Sequence, residues 1–237
     1  MPGAVVLRPR AALAGLPRKD EDSSNGEEAS SAAMVHAFIV HTLRSWGRSG
    51  DEAPPCRVLY SRVFSPERPE GGGGRDPEKE RLAQKERILA VARQVDSVCK
   101  LHLQAAGRPT WEPLAPAPED PSPLQDAPSG AFRLPPGDPF PVAEGERAVL
   151  WLGVHSVAFA LVCGPQENPL LAECALRSVA RSLLDHLHLL GSGSEVLLKA
   201  DRTEAVLARF LPHGQLLFLN DQFVAGIERE VAAALGK

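Results

Sequence analysis

The chain has 237 residues, a formal charge of −4 at neutral pH and a sequence pI near 6.0. That balance provides no clustered basic surface for a phosphate backbone and argues against direct nucleic-acid binding. With 43% hydrophobic residues the chain can bury a sizeable core, but half of its 22 prolines crowd between Gln104 and Pro141, which leaves one ordered domain of roughly 150 residues.

Residues 1–33 show no sustained periodicity. Their opening is Arg-bearing and free of acids, as a transit peptide would be, but it is poor in Ser and runs straight into DEDSSNGEE. A disordered extension ahead of a domain starting at Met34 is the expectation. In MVHAFIVHTLR, residues 34–44, Val35, Ala37 and Ile39 alternate with His36, Phe38 and Val40. Both faces are largely apolar, which predicts a central strand covered on both sides. CRVLYSRVF, residues 56–64, predicts a second strand in a hairpin with the first. A flexible insertion over about 65–75, containing GGGG, then leads into a helix over 77–103. Asp76 is placed as its N-cap, Pro77 suits its first position, and Glu78 and Glu80 suit its dipole. Its apolar stripe runs Ile88, Val91, Ala92, Val95, Val98, Cys99 and His102.

A Pro-rich insertion over about 104–130 cannot hold a helix and reads as a mobile surface loop. AFRL at 131–134, ERAVLWLGV and VAFALVCG predict three more strands, the last two joined tightly at His155 and Ser156. NPLLAECALRSVARSLLDHLHLLG predicts a helix from Asn168 to Leu190 that stops at Gly191. Leu171, Ala175, Val179, Leu183, Leu187 and Leu190 line one side, while Leu176, Ala180 and Leu184 are apolar elsewhere, so this helix is buried widely or has a partner. SEVLLKA reads equally as a strand or a helical turn. DRTEAVLARFL follows as a helix, with Asp201 and Glu204 at capping-box spacing and Pro212 and Gly214 as its end. QLLFLN leads to a last helix marked by Phe223, Ile227, Val231 and Leu235. Strands followed by helices predict an α+β domain, a five-stranded, mostly antiparallel sheet with helices packed on its faces.

No chemical constellation assembles. Cys56, Cys99, Cys163 and Cys174 lack C-x-x-C spacing and read as buried reduced thiols. His186 and His188 are two apart on a helix and point in different directions, so they read as a solvated or partner-facing pair rather than metal ligands. GSGS at 191–194 lacks the strand–turn–helix nucleophile pattern, and GGGG precedes no phosphate-binding lysine. No catalytic, cofactor or metal residue is assigned. Uncompensated apolar surface stands out instead, and predicts obligate partners with large hydrophobic interfaces.

The element order, together with VLWLGVHSVAFALVCG, the helix at 168–190 and SEVLLKADRTEAVLARFLPHGQ, resembles the longin-like small (sigma) subunits of adaptor protein complexes. MVHAFIVHTLR, CRVLYS, ILAVARQVDSVC, GAFRL and FLPHGQLLFLNDQFV resemble the sigma subunits of the fifth adaptor complex. The resemblance covers nearly all of 34–237 outside the Gly and Pro tracts. It implies a non-enzymatic subunit of a heterotetramer with large zeta and beta subunits and a medium mu subunit, with spatacsin and spastizin as associated proteins. It also implies a cytoplasmic protein, peripheral on late endosomes and lysosomes, in vesicle-mediated transport. Leu176, Leu184, Leu187, Phe218 and Phe223, read as exposed apolar positions of the helix at 168–190 and the tail, are the expected partner-interface residues, with a buried core role as the competing reading for each. Some relatives read dileucine cargo signals, and by position Arg57, Val179 and Leu189 correspond to that site. The longer first hairpin loop at 42–55 and His155 depart from the pattern. Rival readings are a free-standing longin module that regulates a small GTPase or membrane fusion, and an indirect accessory role in double-strand-break repair.

Overall fold

The computed structural model describes residues 35–43, 56–64, 77–107, 124, 127–134, 146–154, 156–187 and 194–236. The predicted extension, the first insertion, Asp76 and most of the second insertion lie outside these residues; at the ends of that second insertion the predicted loop is corrected, since helix continues to Ala105 and strand begins at Ser129. In chain order come β1 (Val35–Thr42), β2 (Val58–Val63), α1 (Pro77–Ala105), β3 (Ser129–Leu134), β4 (Arg147–Val154) and β5 (Val157–Cys163). Then follow α2 (Pro169–Leu187), α3 (Ser194–Leu198), α4 (Ala200–Phe210), a 3-10 turn (Pro212–Gly214) and α5 (Asp221–Ala234). The strands form one antiparallel sheet in the order β2-β1-β5-β4-β3.

Why β1 reads as apolar on both faces is now plain. It pairs with β2 on one side and β5 on the other, and every residue from Val35 to His41 is buried. One face of the sheet carries Ala37, Ile39, Trp151, Ala158, Ala160 and Val162, and α1 closes it with Ile88, Val91, Val95 and Cys99. The small alanines let the long helix lie close to the strands. The other face carries Phe38, Leu150, Leu152, Phe159 and Leu161 under α2, α4 and α5. The described residues thus form a three-layer helix–sheet–helix domain with two cores, an α+β longin-like arrangement.

The helix ends show where local signals held and where contacts elsewhere in the fold won. Asn168 caps α2, its Oδ1 accepting from the N–H groups of Leu170 (2.9 Å) and Leu171 (3.3 Å). Asn220 caps α5 by accepting from Phe223 N at 2.8 Å. The capping box expected at Asp201 and Glu204 does not form, because the N-cap is Lys199 and carries no side-chain cap. Glu204 is engaged across the fold, accepting from Tyr60 Oη (2.5 Å) and from Arg62 Nη1. SEVLLKA, whose sequence suits a strand or a helical turn, forms the short helix α3 leading into α4.

Gly214 closes the turn after α4 at φ +82°. A Cβ there would lie 2.7 Å from both the Val35 carbonyl oxygen and Phe64 Cβ. Only glycine permits that approach, which seats the α4–α5 connection directly on β1 and the end of β2.

Candidate functional site

The residues expected at a partner interface divide cleanly. Leu176 and Leu187 are buried, which corrects their placement as exposed positions. Both belong to the core that fills the space between the sheet and the C-terminal helices. The reason is that α2 is covered twice, by β4 and β5 beneath it and by α4 above it, so its broad apolar surface is used within the chain. Leu184 is half-buried against the same core. The other two residues stand out from the surface, Phe218 at 80% exposure and Phe223 at 45%. They flank the Asn220 cap, Phe218 on an irregular segment whose Leu216 and Leu219 pack against the core and Phe223 in the first turn of α5. Anchored by those leucines and by the capped first turn of α5, the two aromatic rings are held outward rather than folded away. Leu198, at the end of α3, is also strongly exposed.

The cargo-site residues do not make an open pocket. Arg57 is exposed at the start of β2 and is set by its main chain, which donates to Thr42 Oγ1 (3.0 Å) and accepts from Thr42 N (2.9 Å). Val179 has no exposed surface and sits in the core. Leu189 lies outside the described residues.

The sequence compared with family descriptions matches AP-5 complex subunit sigma-1 over residues 34–232. The chain belongs to the AP-5 sigma-1 family. The AP-5 complex subunit sigma-1 of Homo sapiens is 52% identical over 202 residues, covering 85% of this chain and 98% of that protein. Its Mus musculus counterpart is 50% identical over 158 residues, covering 66% of this chain and 90% of that protein. The family match starts at the residue where the sequence places the first strand.

In this AP-5 sigma-1 family chain the buried polar groups serve packing. His36 is held down to about 4, first by burial and then by the positive charges of Arg147 and Arg87. His41 is lowered as well, chiefly by burial, partly offset by its bond to the Thr42 carbonyl and by the Asp96 carboxylate. Of the pair expected to be solvated or partner-facing, His188 lies outside the described residues and His186 is corrected, because it is buried and its Nε2 lies 3.0 Å from Glu228 Oε2 on α5. Cys56, Cys99 and Cys163 are buried, and burial pushes the Cys99 and Cys163 thiols up to about 12. Cys174, expected inside, is exposed on α2. Among the described residues no three His, Cys, Asp or Glu side chains converge as a metal site. No described helix is long and apolar enough to cross a membrane. Two tethers escaped sequence reading, since nothing local marks a contact 142 residues apart: Arg62 to Glu204, and Arg177, which reaches from α2 to Leu124 O and Ser129 Oγ.

Proposed function

We propose that this chain works, without catalysing a reaction, as the small subunit of a heterotetrameric adaptor in vesicle-mediated protein transport, and that it stabilises a large subunit. Family membership supports the subunit role, and one observation carries the interface. Phe218 and Phe223, at 80% and 45% exposure, present aromatic surface that water disfavours and an interface buries. The occupant proposed is the large zeta subunit, within an assembly that also holds beta and mu. Spatacsin and spastizin would associate with the assembled complex rather than with this chain alone. The proposal extends to location, a cytoplasmic complex peripheral on late endosomes and lysosomes, and family membership is what supports it. Cargo reading is not assigned, because Val179 offers no accessible wall.

Co-expression with zeta and beta tests the reading. The Phe218→Ser, Phe223→Ser double variant is expected to lose zeta on copurification while its melting temperature stays close to that of the parent. Undiminished recovery of zeta would move the interface elsewhere. A parent chain that purifies from cell extract as a monomer, with no large subunit, would remove the assembly altogether.

A further inference from the structure

The end of the sheet opposite β2 is β3, and no strand among the described residues lies on its outer side. The bond from Gly153 N to Pro128 O (2.8 Å) sets the phase of the β3–β4 ladder. In the β3–β4 register Gly130, Phe132 and Leu134 then also turn their main-chain groups towards β4. Ser129, Ala131 and Arg133 turn theirs outward, a row of donors and acceptors at strand spacing. Because Phe132 and Leu134 belong to the α1 face, the side chains of these three residues lie on the α2 face. On that face a cleft of about 290 Å³ opens between β3, β4 and the beginning of α2. Leu150, Leu152 and Leu176 are its buried wall, and Leu170, 72% exposed, stands at its rim. Arg177 holds the cleft in shape, donating to Ser129 Oγ (2.8 Å), Leu124 O (2.9 Å) and Glu173 Oε1 (2.9 Å).

We propose that the β3 edge and this cleft bind an extended segment of a partner protein, added as a sixth strand, with an apolar residue opposite Ala131 and an acidic residue two positions away, opposite Arg133. Of the conformations a partner segment can take, an extended main chain is the one that can pair with the outward groups of Ser129, Ala131 and Arg133 together, since a helix keeps its own groups paired. Side chains on one face of an added strand recur every second residue, matching the spacing of Ala131 and Arg133. The first enters the cleft beside the leucines. The second meets a guanidinium whose side chain is 74% exposed and whose present ion-pair partner, Glu146, is itself half-exposed on the adjacent strand's approach. A second copy of β3 is a poorer occupant, because it brings only the Ala131 methyl group to the cleft. The site is at the opposite sheet edge from Arg57 and does not depend on the adaptor reading.

The test uses the full chain and a fluorescein-labelled peptide, Ser-Val-Thr-Leu-Thr-Glu-Val-Ser. Saturable binding is expected, with slowed hydrogen exchange at the amides of Ser129, Ala131 and Arg133. Replacing the peptide's Leu by Ser should weaken binding about tenfold or more, and replacing its Glu by Lys by a smaller factor. Ala131→Pro should abolish binding while leaving the fold intact, because the Ala131 N–H makes no ladder bond to β4. Leu170→Asp reads the cleft without touching the main chain, and decides the matter if Ala131→Pro fails to fold. Absence of binding, or binding equal in parent and Leu170→Asp, overturns the proposal. A sedimenting dimer that dissociates in Ala131→Pro also overturns it, by showing a second copy on the edge.

Discussion

Helix α2 and the segment from Gln215 to Phe223 are both rich in large apolar residues, yet the molecule treats them oppositely. In α2 the leucines at 176, 183 and 187 are buried between the sheet and the C-terminal helices. In the later segment close neighbours divide, Leu216 and Leu219 inward, Phe218 outward. A helix that is greasy all round advertises many neighbours without saying whether they belong to the same chain. An irregular segment pinned at both ends, with a ring still outside, has no such neighbour left to recruit from its own core.

Substitutions can break or sharpen this contrast. Leu187→Ala should lose about 3 kcal/mol of folding stability, because the buried site cannot collapse around the missing atoms. Urea unfolding measures it, and a loss below about 1 kcal/mol would mean that α2 is less enclosed than described. Next comes Gly214→Ala, expected to cost about 2 kcal/mol through its left-handed conformation and its approach to Val35 and Phe64, read by the same titration. A pH effect ranks third. The unfolded chain protonates His36 near its ordinary 6.5, whereas the folded chain resists until about 4. The folded pKa is depressed, so the stability tied to neutral His36 is present above 6.5 and drains away as the pH falls towards 4, by about 1 kcal/mol between pH 7 and 5.5. An NMR titration that found the His36 ring protonating near 6.5 would contradict it. The smallest change belongs to the Phe218→Ser, Phe223→Ser chain, whose isolated stability should stay within about 0.5 kcal/mol of the parent. A larger drop would make those rings part of the core.

The sheet was legible because buried strands announce themselves by continuous apolar runs, and β1 and β5 are the clearest. Helix α1 was legible from its stripe and first turn, and Asn168 and Asn220 stand where caps belong. What stayed hidden are contacts between residues distant along the chain. Asp201 and Glu204 had the right spacing for a cap, but Tyr60 and Arg62 bind the same carboxylate from β2. His186 looked like surface until Glu228 of α5 arrived beside it. For the interface, periodicity counted apolar positions correctly and could not tell that the sheet and the C-terminal helices enclose Leu176 and Leu187. Arg57 and Val179 could be placed only by analogy, and one is on the surface while the other is sealed.

The strand order has a consequence for how the polypeptide is made. β1 lies between β2 and β5, and Thr42 and Cys163 are separated by about 120 residues of chain. At a synthesis rate of about 5–20 residues per second, the first hairpin leaves the ribosome on the order of ten seconds before its missing neighbour. Through that interval a strand of Val, Phe and Ile waits with one edge bare, so nascent-chain chaperones should engage the first hairpin and let go once β5 emerges.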